Sequence, residues 1–258
     1  SDGGLYKLKD RKIDQALKGE VFQLLRSDDT LWIASEKGIF KYKDNLFSPA
    51  TVPFSGISCR TVVSCGQDIC FGTDDGKILK GNGSKFSLYF KSDKVTPIHN
   101  MLYDKNGNLW AAFAENGVMI IRNGRISDHM ISHEMPGTVY SLFEDHESSI
   151  WIGAMGEGLI QLRKGRVIPV TERDGLSSNS VFSIFGTDDG KIFAGTTDGG
   201  LNVISEKEVI SYGTEAGIPA ELVTSMTWHD NVLLVGTMGH GIYRFSEERF
   251  LKFPVKGL

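Results

Sequence analysis

VFSIFGTDDGKIFAGTTDGGLNV, residues 181–203, decides the fold. Apolar and small or polar residues alternate through Val181, Phe182, Ser183, Ile184 and Phe185, the period of a strand with two different faces. The run ends at Asp188-Asp189-Gly190, whose Asp-Gly pair suits a two-residue hairpin. Ile192-Phe193-Ala194-Gly195 is apolar or small throughout, as a strand covered on both faces requires. A second glycine turn, Thr197-Asp198-Gly199, leads to a third strand from Leu201 to Ile204, and a short polar turn leads to a fourth from Glu208 to Tyr212. Helical periodicity is absent almost everywhere.

The same pattern returns along the whole chain. Six units begin at Val21, Thr61, Ile98, Val139, Val181 and Leu222, and Trp32, Cys70, Trp110, Trp151, Phe193 and Leu234 hold one place in them at successive spacings of 38, 40, 41, 42 and 41. Four short antiparallel strands recurring at this interval describe a β-propeller blade. A β-sandwich also has regularly spaced strands, but lacks a turn-for-turn sequence repeat. Asp2-Gly3-Gly4-Leu5 superposes on Asp198-Gly199-Gly200-Leu201, which reads as the outer half of a blade, and Gly257-Leu258 superposes on Gly175-Leu176, which introduces a new unit. The expectation is therefore an all-β chain, one propeller over 1–258, with a half blade at 1–19 and full blades near 20–56, 57–96, 97–137, 138–179, 180–220 and 221–258. On this reading about six and a half blades of a ring of seven or more are present, cut from a longer protein.

Composition narrows the function. The 258 residues carry a formal charge of −4, with Lys and Arg scattered, so no footprint for a phosphate backbone is seen and nucleic acid is not an expected partner. No window approaches the ~18 consecutive apolar residues of a membrane span, and SDGGLYKLKD is not the apolar core of a signal peptide. Any targeting or membrane segment is expected outside these residues.

The side chains that could carry chemistry have structural readings. Trp32, Trp110, Trp151 and Phe193 sit where a large ring wedges between neighbouring blades. Asp104, Asp188 and Asp189 lie in turns that invite a calcium reading, yet no segment supplies the alternating ligand series and distal Glu of a calcium loop. His99, His129, His133, His146, His229 and His240 form no metal spacing, so no metal and no cofactor are expected. GxSxG, GxxxxGK[ST] and a helix-opening GxGxxG are missing, so no catalytic residue is assigned. A carboxylate pair assembled from distant blades would leave no such signature. Cys65 and Cys70 would face each other across a hairpin turning near Gln67-Asp68, where a disulfide is expected if they share register, with buried thiols the alternative.

In a propeller, inter-blade loops and the loops joining second to third strands emerge together and form the default binding rim. Bulkier or ionisable residues interrupt the small Thr/Asp/Gly pattern there at Glu115, Asn116, Met155, Glu157, Met238 and His240. His99, Asn100, Arg173, Asp174 and Asn179 lie on or beside inter-blade loops and complete the candidate ligand-binding set.

The segment Asp174-Gly175-Leu176-Ser177-Ser178-Asn179-Ser180-Val181, with Asp188-Asp189-Gly190, Ile192-Phe193-Ala194-Gly195-Thr196 and Gly199-Gly200-Leu201, resembles the two-component regulator propeller repeat, DGLPSNxVxxIxxDxxGxLWIGTxxGGLxR. Ile150-Trp151-Ile152-Gly153 with Gly158-Leu159, and Asp104, Gly107 and Leu109-Trp110, match as well; the units at Thr61 and Leu222 match loosely. The resemblance implies the periplasmic or extracytoplasmic sensor region of an inner-membrane two-component or hybrid protein. Such a region is not itself an enzyme and binds a small molecule, often a saccharide. Its partners would be the rest of its own chain (a sandwich linker, a membrane helix and an output domain) and, in some cases, a second copy in a homodimer. The alternatives are a secreted propeller hydrolase or lyase, marked by paired carboxylates on the rim, and a protein-interaction platform, marked by a large exposed apolar patch.

Overall fold

The computed structural model describes residues 4–9, 12–83, 85–115, 117–130, 137–198, 200–205, 208–219 and 222–253. They form two compact units, one ending at 132 and the other beginning at 133. The first holds a two-stranded hairpin, Gly4–Lys9 with Lys12–Lys18, and three four-stranded antiparallel sheets. Blade 1 comprises Val21–Ser27, Thr30–Ser35, Gly38–Lys43 and Leu46–Pro49. Blade 2 comprises Cys59–Cys65, Asp68–Thr73, Lys77–Asn82 and Lys85–Lys91, and blade 3 Ile98–Tyr103, Leu109–Phe113, Gly117–Arg122 and Arg125–Met130. In the second unit blade 4 comprises Val139–Glu144, Ile150–Ala154, Gly158–Arg163 and Arg166–Val170. Blade 5 comprises Val181–Gly186, Ile192–Thr196, Leu201–Ile204 and Val209–Tyr212, and blade 6 Val223–His229, Val232–Thr237, Gly241–Ser246 and Arg249–Lys252.

Every blade is a simple meander, each strand bonded to the next in sequence. The fold is thus an all-β, six-bladed β-propeller with four-stranded antiparallel blades. This corrects the expectation of six and a half blades in a ring of seven or more. The N-terminal residues do repeat the outer-strand pattern of a blade, but among the described residues their two strands pair only with each other and build no further four-stranded sheet.

The second strands are buried along their whole length in blades 3, 4 and 5, which explains their unbroken apolar and small composition. Trp32 shows how blades are joined: its ring meets Phe71 and Phe86 of blade 2 edge-on, with centroids 6.1 and 5.4 Å away. Trp151 belongs to a core shared with Val181, Ile192 and Ile204 of blade 5, and Phe193 to one shared with Val223, Leu233 and Phe250 of blade 6. Trp110 is buried too.

The first hairpin of blade 5 departs from the two-residue turn expected at Asp189-Gly190. Thr187 N–H donates to Lys191 O at 3.0 Å, leaving three residues in the loop, with Gly190 at φ 86°. A type I turn followed by a left-handed residue closes such loops, and glycine takes that last position without strain.

Candidate functional site

One backbone hydrogen bond recurs in every blade and marks the same end of each. The first residue past the second strand donates to the residue leading into the first strand: Glu36 to Glu20, Asp74 to Ser58, Ala114 to Pro97, Met155 to Thr138, Thr197 to Ser180 and Met238 to Leu222, at 2.9 to 3.1 Å. Each blade therefore brings its inter-blade loop and its second-to-third-strand loop together at one end, while its first and third hairpin turns lie at the other.

In the first unit this end carries His99 and Asn100, half-buried, and Glu115, exposed. Asn116 lies outside the described residues, as do the side chains of His129 and His133. Between blades 1 and 2, Arg60 bonds Asp74 through Nε, and its guanidinium lies 4.8 Å from the centre of the Phe22 ring. Beside it Asp75 accepts from Thr73 Oγ1 at 2.6 Å and from Lys77 Nζ. Burial alone would raise the Asp75 carboxyl, but hydrogen bonds from Lys77 and Thr73 and the Lys77 charge hold it below the usual carboxylate range. The neighbouring Cys59 thiol is pushed up to about 12 by burial, with Asp74 and Asp75 adding to the effect.

In the second unit the 171–180 loop packs on the loop after Ala154: Gly158 N–H donates to Asn179 O at 2.7 Å and Gly156 N–H to Ser180 Oγ at 3.3 Å. These bonds tie the loop that carries Met155 and Glu157 to the loop that carries Arg173, Asp174 and Asn179. Two of these side chains hold the loop itself. Asp174 Oδ2 accepts from Thr171 N–H at 2.9 Å, closing a capping box, and Asn179 Oδ1 accepts from Glu172 N–H at 2.9 Å. Arg173 is exposed, and Met155 and Met238 are 45% and 56% exposed. Met238 and His240 lie on the blade 6 loop, where the His240 ring nitrogen Nδ1 sits 3.3 Å from Met238 O.

Asp104, Asp145 and Asp189 are occupied within the protein. Asp104 Oδ1 accepts from the N–H groups of Asn106 and Asn108, and Oδ2 from Asn108 Nδ2 and the Trp110 indole, at 2.6 to 3.0 Å. Asp145 serves Glu147, Ser149 and Trp151 in the same way. Asp189 is held low by Thr187 and Lys191. Among the described residues no cluster of three or more His, Cys, Asp or Glu could hold a metal.

Cys65 and Cys70 are joined by a disulfide, their Cα atoms 6.0 Å apart. The hairpin turns at Gly66-Gln67, one residue earlier than expected, so Cys65 pairs with Asp68 and Cys70 with Val63. The two cysteines are diagonal neighbours, which the twist of a hairpin still leaves within reach.

At the opposite end of blades 2 and 3 from the rim lies a cavity of about 420 Å³. Lys80 and Tyr89 come from blade 2, and Tyr103, Asn106, Asn108 and Arg122 from blade 3. The sequence marks none of these as a site, because they fall on outer strands, in a hairpin turn or, for Tyr103, at the end of a first strand, where polar residues are ordinary.

No family model matches the sequence, and no curated protein matches it. Solved structures do share its fold. The extracellular domain assigned to a one-component system of B. thetaiotaomicron aligns over 98% of this chain and 38% of that one, with TM-score 0.76 and 15% identity. The extracellular domain assigned to a hybrid two-component system of the same organism aligns over 98% of this chain and 43% of that one, with TM-score 0.63 and 19% identity. Virginiamycin B lyase from Staphylococcus aureus, in a catalytically inactive form crystallised with quinupristin, aligns over 92% and 85%, with TM-score 0.79 and 13% identity. The chain thus spans under half the length of the two B. thetaiotaomicron domains. At these identities the likeness is one of fold.

Proposed function

We propose that this chain is the extracytoplasmic ligand-sensing propeller region of a bacterial two-component or hybrid signalling protein, binding a small molecule such as a saccharide at its rim. The observation that carries the reading is the division of labour in the repeat. One backbone bond fixes the rim loops in all six blades, while the exposed side chains on them differ from blade to blade. A constant scaffold with variable loops suits recognition. The fold it shares with the two extracellular domains, and the repeat pattern around Asp174 to Val181, support the same reading. In this reading residues 1–258 are one propeller domain of a longer chain.

Isothermal titration of the purified protein against a panel of neutral oligosaccharides tests it. A saccharide that binds, is recovered unchanged, and binds at least about tenfold more weakly to Glu157→Gln or Met238→Ala supports sensing. Turnover of a bound saccharide would instead support the lyase or hydrolase reading, which the shared fold with virginiamycin B lyase keeps in view. Absence of binding across the panel counts against a saccharide ligand.

A further inference from the structure

The cavity between blades 2 and 3 has no part in the rim reading, and its lining is unlike the rest of the molecule. The chain as a whole is acidic, at −4, yet the cavity is lined by Lys80 and Arg122 and by no carboxylate. Its volume of about 420 Å³ lies within the ~300–1,000 Å³ of small-molecule sites.

Arg122 is held for a task. Its Nε donates to Asn108 Oδ1, the Asn108 amide donates to Asp104 Oδ2 at 2.6 Å, and Asp104 is anchored by the buried Trp110 indole at 2.8 Å. This chain fixes the guanidinium through its inner nitrogen. Among the described residues no carboxylate forms an ion pair with it, so its two terminal nitrogens keep the fork that binds an oxyanion through two parallel bonds. Lys80 is also placed: its ammonium lies 5.1 Å from the Tyr89 ring centre and 3.3 Å from Asp68 Oδ2. Tyr89 and Tyr103 supply ring surface and hydroxyls, and the Cys65–Cys70 disulfide stiffens the hairpin that forms one wall. Ordering these groups before binding lowers the entropic cost of capture.

We propose that this cavity binds a small polar molecule through an oxyanion group, with Arg122 as the fork, Lys80 as the second cation and the two tyrosines against the ligand's body. The site is separate from the rim, and the proposal does not rest on the sensing role.

Titration of the intact protein with glucuronate, glucose and inorganic sulfate tests it. Glucuronate should bind and glucose, which lacks the carboxylate, should not. Arg122→Gln should weaken binding at least about tenfold, Arg122→Lys by less, and Lys80→Gln by several-fold, with affinity falling as salt rises. Arg166→Gln, which removes an exposed cation on the outer strand of blade 4, should leave glucuronate affinity unchanged, which shows that the loss belongs to this cavity. Sulfate bound in place of glucuronate and lost in the same variants supports the oxyanion site and shows that the charged group alone suffices. Should Arg122→Gln fail to fold, Lys80→Gln carries the test. Failure of both anions to bind, or binding unchanged by the Arg122 and Lys80 substitutions, overturns the proposal.

Discussion

The Trp110 and Trp151 indoles each donate to an aspartate six residues earlier, and that aspartate also accepts the backbone of its own turn. Asp104 and Asp145 therefore each bind a hairpin to a buried ring of the second strand, and for Trp151 that ring belongs to the core shared with blade 5. In blade 5, where Phe193 has no N–H to satisfy, Thr187 stands at the aspartate position and still closes the turn. Asp104→Ala should cost about 2–3 kcal/mol by leaving buried donors without an acceptor, whereas Trp110→Phe, which loses one bond and some area, should cost less; urea unfolding of the two variants checks the order. Cys59 makes a pH test. Its thiol is fully buried and raised from 9.0 to about 12, so the folded state holds a proton that the unfolded state gives up first. The stability that this contributes is complete below pH 9 and is lost as pH rises toward 12. Stability should fall more steeply between pH 9 and 11 for the wild type than for Cys59→Ala, and iodoacetamide at pH 8 should label Cys59 only after unfolding.

At the scale of the element, glycine in the second strand marks where the next blade closes in. A Cβ on Gly195 would lie 2.7 Å from Val223 Cβ of blade 6, and one on Gly153 would lie 2.7 Å from Val181 Cγ1 of blade 5. The opposite residue on the first strand is a serine in both blades, and Ser183 Oγ donates 2.9 Å across to Val223 O. Gly195→Ala should therefore force two blades apart and destabilise by about 1–3 kcal/mol, read as a lower unfolding midpoint. Gly165, in the third turn of blade 4, meets nothing within 4 Å, but its φ of 75° makes Gly165→Ala costly through backbone strain alone. The element scale is also where sequence reading erred by a residue: Cys65 and Cys70 bond as diagonal neighbours because the turn starts at Gly66, a glycine at φ 72° that closes a two-residue loop.

At the scale of the whole molecule, stability is spread over separate inter-blade cores. Trp32 packs with Phe71 and Phe86, while Phe193 packs with Val223, Leu233 and Phe250, and the two sets share no residue. Trp32→Ala and Phe193→Ala should each cost about 3–5 kcal/mol, and the double variant should lose the sum to within about 0.5 kcal/mol if unfolding is two-state; a thermodynamic cycle by denaturant titration reads this directly. What the sequence by itself determined is the blade: its four strands, its wedge positions and the loops of its rim, because a recurring unit writes the same local pattern of alternation, turn residues and buried aromatics into each copy. The blade count needed the tertiary structure, since the first strands repeat a blade's outer pattern yet, among the described residues, pair only with each other. So did the cavity. Arg122, Asn108, Asp104 and Lys80 meet through hydrogen bonds and shared walls that join different strands and two blades, and no period along the chain records which side chains folding will bring face to face.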